Sequence, residues 1–208
     1  KLSSSLSSRP LLMECDVSDD ANVEAMFQGL EGELGHIEVL IHSIAFAVRD
    51  DLGGRFLDTD REGFRVAMDI SAYSLVSVVR HCAPLMADNG GSILTLTFQA
   101  SSRVFPGYNI MGTAKAALEN EVRQLAWDLG RDGIRVNAVS AGPLDTLSSR
   151  VISKYKDMKR VHAERSPLGR NITHQEVADT ALFLCSPMAS GITGEILHVD
   201  SGYHVMGI

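Results

Sequence analysis

Short apolar runs separated by stretches of helical period constrain the fold of this chain more than any other feature. Residues 37–45 are almost wholly apolar, as a strand covered on both faces must be. Residues 92–98 are β-branched and apolar and follow the turn signal Asn89-Gly90-Gly91. Residues 134–140 and 194–200 read the same way, and residues 11–17 read as a shorter first strand. Between these runs the period changes. Ser18, Asp19 and Asp20 cap a helix whose apolar positions include Val23, Met26, Phe27 and Leu30. Residues 60–86 read as one or two long helices, and Met111, Ala114, Leu118, Val122, Leu125 and Leu129 recur at spacings of three and four. Gly130 and Gly133 stop that helix, with Trp127 expected in its packing; Thr173 or His174 opens another through Val177, Ala181, Leu182 and Leu184. The polar stretch after Pro143, as far as Asn171, reads as irregular. Strands alternating with helices predict parallel βαβ units, hence an α/β fold with a doubly wound parallel sheet and helices on both faces.

The 208 residues fit one such domain, read here as residues 11–208 behind a Ser-rich terminus, residues 1–10, that reads as loop or disorder. A net charge of -7 argues against nucleic acid or an acidic membrane as the partner, and no apolar run reaches the length of a membrane span. Cys15, Cys82 and Cys185 are far apart, sit in apolar or helical stretches and lack metal-ligand spacing, which predicts buried free thiols in a reducing, cytoplasm-like compartment. The seven histidines are scattered without ligand spacing, so no metal site is expected.

In doubly wound sheets, ligands sit beyond the carboxyl ends of the strands. Those ends are Asp16-Val17, Ser43-Ile44-Ala45, Thr97-Phe98 and Ser140-Ala141-Gly142-Pro143, rich in small residues that let a ligand approach the backbone. Tyr108 and Lys115 face the same edge. Pro106 suits a first helical turn, and on a continuous helix the two side chains would lie roughly 20° apart. A Tyr and a Lys at that spacing are otherwise unremarkable on a helix surface; the shared edge gives them meaning. An ammonium near a phenol favours the phenolate, and a phenol so tuned can donate to an oxygen that is gaining charge. The lysine can donate to sugar hydroxyls.

From residue 11 to residue 208 the sequence resembles the bacterial enoyl-acyl-carrier-protein reductases of type II fatty acid synthesis, a divergent branch of the short-chain dehydrogenase/reductase superfamily. The residues carrying the match include His42-Ser43-Ile44-Ala45-Phe46-Ala47, Asp69-Ile70-Ser71-Ala72-Tyr73-Ser74, Tyr108-Asn109-Ile110-Met111-Gly112 through Lys115, Arg135-Val136-Asn137 and His198-Val199-Asp200-Ser201-Gly202-Tyr203. The ordinary superfamily spacing is Tyr-x3-Lys. Here Gly112 stands at that position and the lysine comes at 115, as in the enoyl reductase branch. The resemblance implies a Rossmann-like oxidoreductase that reduces enoyl-acyl-carrier-protein or enoyl-CoA thioesters with NADH, as a cytoplasmic homotetramer. It implies that Asp16 and Val17 contact the adenine, that Ser43, Ile44 and Ala45 line the cofactor, and that Lys115 binds the nicotinamide ribose. Ala141, Gly142, Pro143, Leu144, Asp145, Thr146, Leu147 and Ser148 would flank the nicotinamide and pyrophosphate. Ala47 would lie near the acyl substrate, and Tyr108 would bond the thioester carbonyl.

Three departures accompany it. No Gly-x-Gly-x-x-Gly occurs anywhere, so the family's N-terminal βαβ unit is expected to be missing from this chain, which alone would bind a dinucleotide poorly. The residue that decides between NADH and NADPH belongs to that unit, so NADPH stays open. Phe98 stands where most of the family has a second active-site tyrosine, and Asp145 stands where Arg is common beside the pyrophosphate. The alternatives to an enoyl reductase are another short-chain reductase acting on a carbonyl, or an inactive, truncated, oligomer-forming remnant.

Overall fold

The computed structural model describes residues 10–146, 149 and 155–207. Its frame is a parallel sheet in the order β1 (Val39–His42), β2 (Gly91–Thr97), β3 (Ile134–Ala141) and β4 (Ile196–Val199). Thr97 pairs with Ser140 and Ala141 with Val199, which brings the carboxyl ends of β2, β3 and β4 to one edge. The helices described are α1 (Asp20–Leu34), α2 (Arg61–Met68), α3 (Ser74–Cys82), α4 (Ile110–Leu129), α5 (Tyr155–Arg165) and α6 (His174–Cys185).

Alternation along the strands builds a core on each face of the sheet. Ile93, Val136 and Ala138 turn toward Val23 and Phe27 of α1, Leu75 of α3, and Leu118 and Val122 of α4. Their neighbours Leu94 and Val139 turn the other way, toward Val177 and Leu184 of α6. Each such side chain contributes about 1.5–3 kcal/mol on burial, so β2 and β3 are fixed from both sides; β1 is covered on one face only, with Val39 and Ile41 exposed, and not on both as its apolar run suggests. This is the helix-covered parallel sheet that the alternating pattern predicts. Local chemistry sets the helix starts. The Asp19 carboxylate accepts from the Ala21 N–H to open α1, and Thr173 with Glu176 forms a reciprocal capping box ahead of α6. Helices α2 and α3 are joined by a π-helical turn, Asp69–Tyr73. Arg135 and Asn137 prove structural: Arg135 donates to the Leu184 and Ser186 carbonyls, and Asn137 donates to that of Ile192, tying β3 to the end of α6.

Three further expectations are corrected. Residues 11–17 form no strand. Among the described residues none pairs with them, and Leu11, Leu12 and Met13 are exposed; an apolar run without a neighbour's N–H and C=O groups has no ladder to join. The polar stretch after Pro143 contains α5, whose only buried described side chain is His162, so the helix leaves almost no apolar period to read. Trp127 is 79% exposed on α4 and packs no core. The three cysteines are free, as expected, but only Cys82 is buried; Cys15 and Cys185 are half-buried.

Candidate active site

Two consecutive residues of β2 anchor α4 at the carboxyl edge of the sheet. The Lys115 Nζ donates to the Leu96 carbonyl at 2.8 Å, and the Thr97 hydroxyl donates to Glu119 Oε1 at 2.8 Å. Lys115 and Glu119 stand one turn apart on the face of α4 that meets the strand. Gly112 permits this approach: a Cβ there would lie 2.8 Å from the Ala100 carbonyl oxygen. A side chain at 112 would push the start of α4 off the loop that follows β2.

Tyr108 belongs to the turn before α4, and not to the helix as its spacing from Lys115 suggests. Gly107 has φ of 88° and Asn109, the N-cap, φ of 42° and ψ of -121°, so right-handed helix begins only at Ile110. Pro106 accordingly lies in that turn and not in a first helical turn. The Tyr108 ring meets Phe98 edge-on with centroids 5.1 Å apart, and Phe98 directly follows β2. The phenol and the ammonium are therefore both referred to the end of one strand, by a different route from a shared helical face.

The electrostatics also differ from the simple pair. Burial, followed by the neighbouring Tyr155, pushes the Tyr108 phenol above its ordinary value. Desolvation outweighs any help from Lys115, and Tyr108 stays a protonated donor. Burial brings Lys115 down to about 8, with Glu119 opposing the fall. Behind them, buried His42 is held at about 4 by burial and by Lys115, hence neutral; its Nδ1 lies 3.0 Å from Thr95 Oγ1 and its Nε2 2.8 Å from Ser74 Oγ.

The other residues singled out in the sequence fall as follows. Ser43, Ile44 and Ala45 run out from β1 at the sheet edge, Ser43 and Ala45 exposed. The segment beyond is fixed by Ser71, whose hydroxyl donates to the Phe46 carbonyl at 2.7 Å and accepts the Phe46 N–H at 2.8 Å, which places half-buried Ala47. Asp16 lies in the turn before α1, its carboxylate accepting from the Ser18 N–H and hydroxyl and held below the usual carboxylate range by those bonds; Val17 packs against the α1 side of the core. Ala141 ends β3, Gly142 and Pro143 are buried, and a Cβ at 142 would stand 3.0 Å from the His162 ring. Glycine at 142 thus answers to His162. Leu144 accepts a hydrogen bond from the Tyr155 hydroxyl, and Thr146 exchanges hydrogen bonds with Ser149. Asp145 is paired with Lys159 of α5 at 2.5 Å. Leu147 and Ser148 lie outside the described residues.

Sequence reasoning missed Glu119, Lys159, Tyr155 and His162. Only the Glu119 spacing, four residues beyond Lys115, carried a signal. A cavity of about 560 Å³ adjoins the site, walled by Phe105, Pro106, Met158, Val161, Tyr203 and Met206, with Arg103 and Arg165 also lining it. Its wall residue Phe105 is linked to Tyr108 through Phe98, the Phe98–Phe105 centroids lying 4.7 Å apart.

Comparison with known proteins places this geometry. The family model "Enoyl-(Acyl carrier protein) reductase" matches residues 1–204. The enoyl-[acyl-carrier-protein] reductase [NADH] FabI of Bacillus cereus is 51% identical over 197 residues, 95% of this chain and 77% of that protein. The Aquifex aeolicus enzyme of the same name is 46% identical over 95% of this chain and 73% of its own length. A crystal structure of the Bacillus cereus reductase with NADP+ and indole naphthyridinone superposes with TM-score 0.96 at 49% identity, covering 100% of this chain and 80% of that one. The reductase of Anaplasma phagocytophilum in complex with NAD gives a TM-score of 0.92 at 46% identity, over 96% of this chain and 76% of its own.

Proposed function

This chain belongs to the enoyl-(acyl carrier protein) reductase family, and from that premise we propose that it reduces the trans-2 double bond of enoyl thioesters with NADH. The observation that carries the reading is a half-buried phenol, Tyr108, packed edge-on against Phe98 at the strand edge that also holds the buried Lys115. Acyl carrier protein or coenzyme A would carry the substrate.

The described residues fit the nicotinamide half of the cofactor. One of the three N–H groups of Lys115 goes to Leu96, which leaves two, among the described residues, to donate to ribose hydroxyls. Exposed Ser43 and Ala45 offer backbone that a flat ring can approach. We assign Ala141, Gly142, Pro143, Leu144 and Thr146 to the opposite wall, with Asp145 turned away from the phosphates by its pairing with Lys159. Asp16 and Val17 belong to the adenine end. When bound, NADH supplies a hydride for the β-carbon of the enoyl thioester.

The residues of the chain act at the thioester oxygen. The Tyr108 O–H donates to that carbonyl, and the hydrogen bond strengthens as negative charge gathers on it in the enolate. A neutral, high-pKa phenol suits this role because it holds its proton while stabilising the oxygen. Proton delivery at the α-carbon then completes saturation. Phe98 shields one side of the Tyr108 ring, and Ala47 borders the acyl chain.

We further propose a homotetramer. The groove between α3 and α4, lined by Val76, Val79, Ala83, Leu125 and Leu129, and the exposed Tyr73 and Trp127 supply apolar surface for it. A reducing, cytoplasmic setting accords with three free thiols, Cys82 being pushed up to about 12 by burial. No helix among the described residues is long and apolar enough to cross a membrane.

The test follows NADH absorbance with a crotonyl or dodecenoyl thioester. Tyr108→Phe should lower turnover about 100-fold or more with cofactor affinity nearly unchanged, and Lys115→Ala should weaken cofactor binding. Equal effects of both on cofactor affinity would contradict the assignment.

A further inference from the structure

Tyr108 is gripped on both sides by a single residue from a distant loop. The Gly53 N–H donates to the carbonyl of Gly107 at 3.2 Å, and the Gly53 carbonyl accepts from the side-chain Nδ2 of Asn109. Gly107 and Asn109 are the two chain neighbours of Tyr108. Gly53 itself has φ of 99°, a conformation that only glycine adopts freely. Asn109 holds φ of 42° and ψ of -121° without a glycine's freedom, and such strain persists only where the surroundings impose it.

The loop that carries Gly53 is itself fastened at both ends. Toward β1, Ser71 takes both the N–H and the carbonyl of Phe46. Toward α2, the buried Asp51 side chain packs on Gly63, where a Cβ would fall 1.8 Å from Asp51 Oδ2. Gly53 therefore presents its peptide from a fixed base.

We propose that Gly53 and Asn109 form a two-sided clamp that sets the position of the Tyr108 phenol. Both are positioning residues: they act through Tyr108 and touch no reacting atom. The inference rests on the role given to Tyr108 above. It also joins the loop bearing Ala47 to the hydrogen-bond donor, so the segment that meets the acyl chain and the group that meets its carbonyl move as one piece.

Asn109→Ala and Asn109→Gly both remove the donor, but glycine also relieves the backbone demand. Both are expected to lose about tenfold in kcat with KM for NADH unchanged, because Lys115 is anchored independently on Leu96. The second readout needs no cofactor. In the wild type the half-buried Tyr108 phenol, packed on Phe98 and held above its ordinary value of about 10, is expected to stay protonated through that range, whereas in either variant one further phenolate should appear there by ultraviolet titration. It should vanish in the Tyr108→Phe, Asn109→Gly double variant. Wild-type kcat and an unchanged titration in Asn109→Ala would overturn the clamp. So would full recovery in Asn109→Gly, which would leave backbone conformation as the whole effect. Should Asn109→Ala not fold, Asn109→Gly decides alone. Full turnover by Tyr108→Phe would sink the catalytic role of Tyr108 instead, while the titration would still report on the clamp.

Discussion

Replacing Lys115 by Met is expected to make the protein more stable while weakening its hold on the cofactor. The side chain is 6% exposed, and burial lowers its ammonium from the ordinary 10.5 to about 8. At about 1.4 kcal/mol per tenfold in proton affinity, keeping it charged inside the fold costs roughly 3 kcal/mol. The variant loses the hydrogen bond to Leu96, about 1 kcal/mol, and keeps a stem of similar shape. The net gain is about 1–2 kcal/mol near neutral pH, or a Tm rise of roughly 2–8 °C. The sign of the pH dependence identifies the cause. Below about 8 the lysine is protonated in both the folded and the unfolded chain, so the penalty is full. Between about 8 and 10.5 only the unfolded chain binds the proton, so wild-type stability rises with pH and the gap to the variant closes. Urea denaturation at about pH 7 and about pH 9.5 should show the gap shrinking by roughly 2 kcal/mol. A variant less stable than wild type at neutral pH, or a gap that ignores pH, would refute the claim that this charge is costly.

Glu121 allows a similar test away from the site. Its buried Oε2 has no hydrogen-bond partner among the described residues, and burial raises its carboxyl to about 7. Its contribution is complete below the ordinary carboxylate value and is lost as pH rises through about 7, so Glu121→Gln should stabilise by about 1 kcal/mol at about pH 8, after discounting for partial exposure, and change little at about pH 5. Equal melting shifts at both pH values would count against this. Gly112→Ala should cost about 1–3 kcal/mol by overpacking against the Ala100 carbonyl; an alanine variant with wild-type melting temperature would show that the helix start can yield.

The sheet was legible because its strands read as short β-branched and apolar runs, as residues 92–98 do, and as residues 134–140 do in spite of Arg135 and Asn137. The same signal misled at residues 11–17, since an apolar run carries no information about whether a neighbouring strand exists to pair with it. Helix α5 was hidden for the opposite reason: it packs through His162 and little else, so its period is carried by polar residues. The pairing of Tyr108 with Lys115 was legible, but its geometry was not. Nothing in the letter Asn marks position 109 as left-handed, and a spacing rule assumes the helix that this residue delays. The lowered phenol expected from the pair failed because charge proximity was weighed without burial. The ion pair of Asp145 with Lys159 was not legible because Lys159 comes from the helix that the sequence concealed.

Tyr108, Phe98, Phe105, Tyr203 and His162 form a row of rings, each within 6.3 Å of the next. The row begins at Tyr108 and ends in the turn after β4 and in α5. On the role proposed for Tyr108, drift at Tyr203 or His162 can therefore reshape the space beside an acyl chain while the phenol, the lysine and their strand stay as they are. Descent could then tune which chains such an enzyme accepts from residues that natural selection never sees touch the reaction.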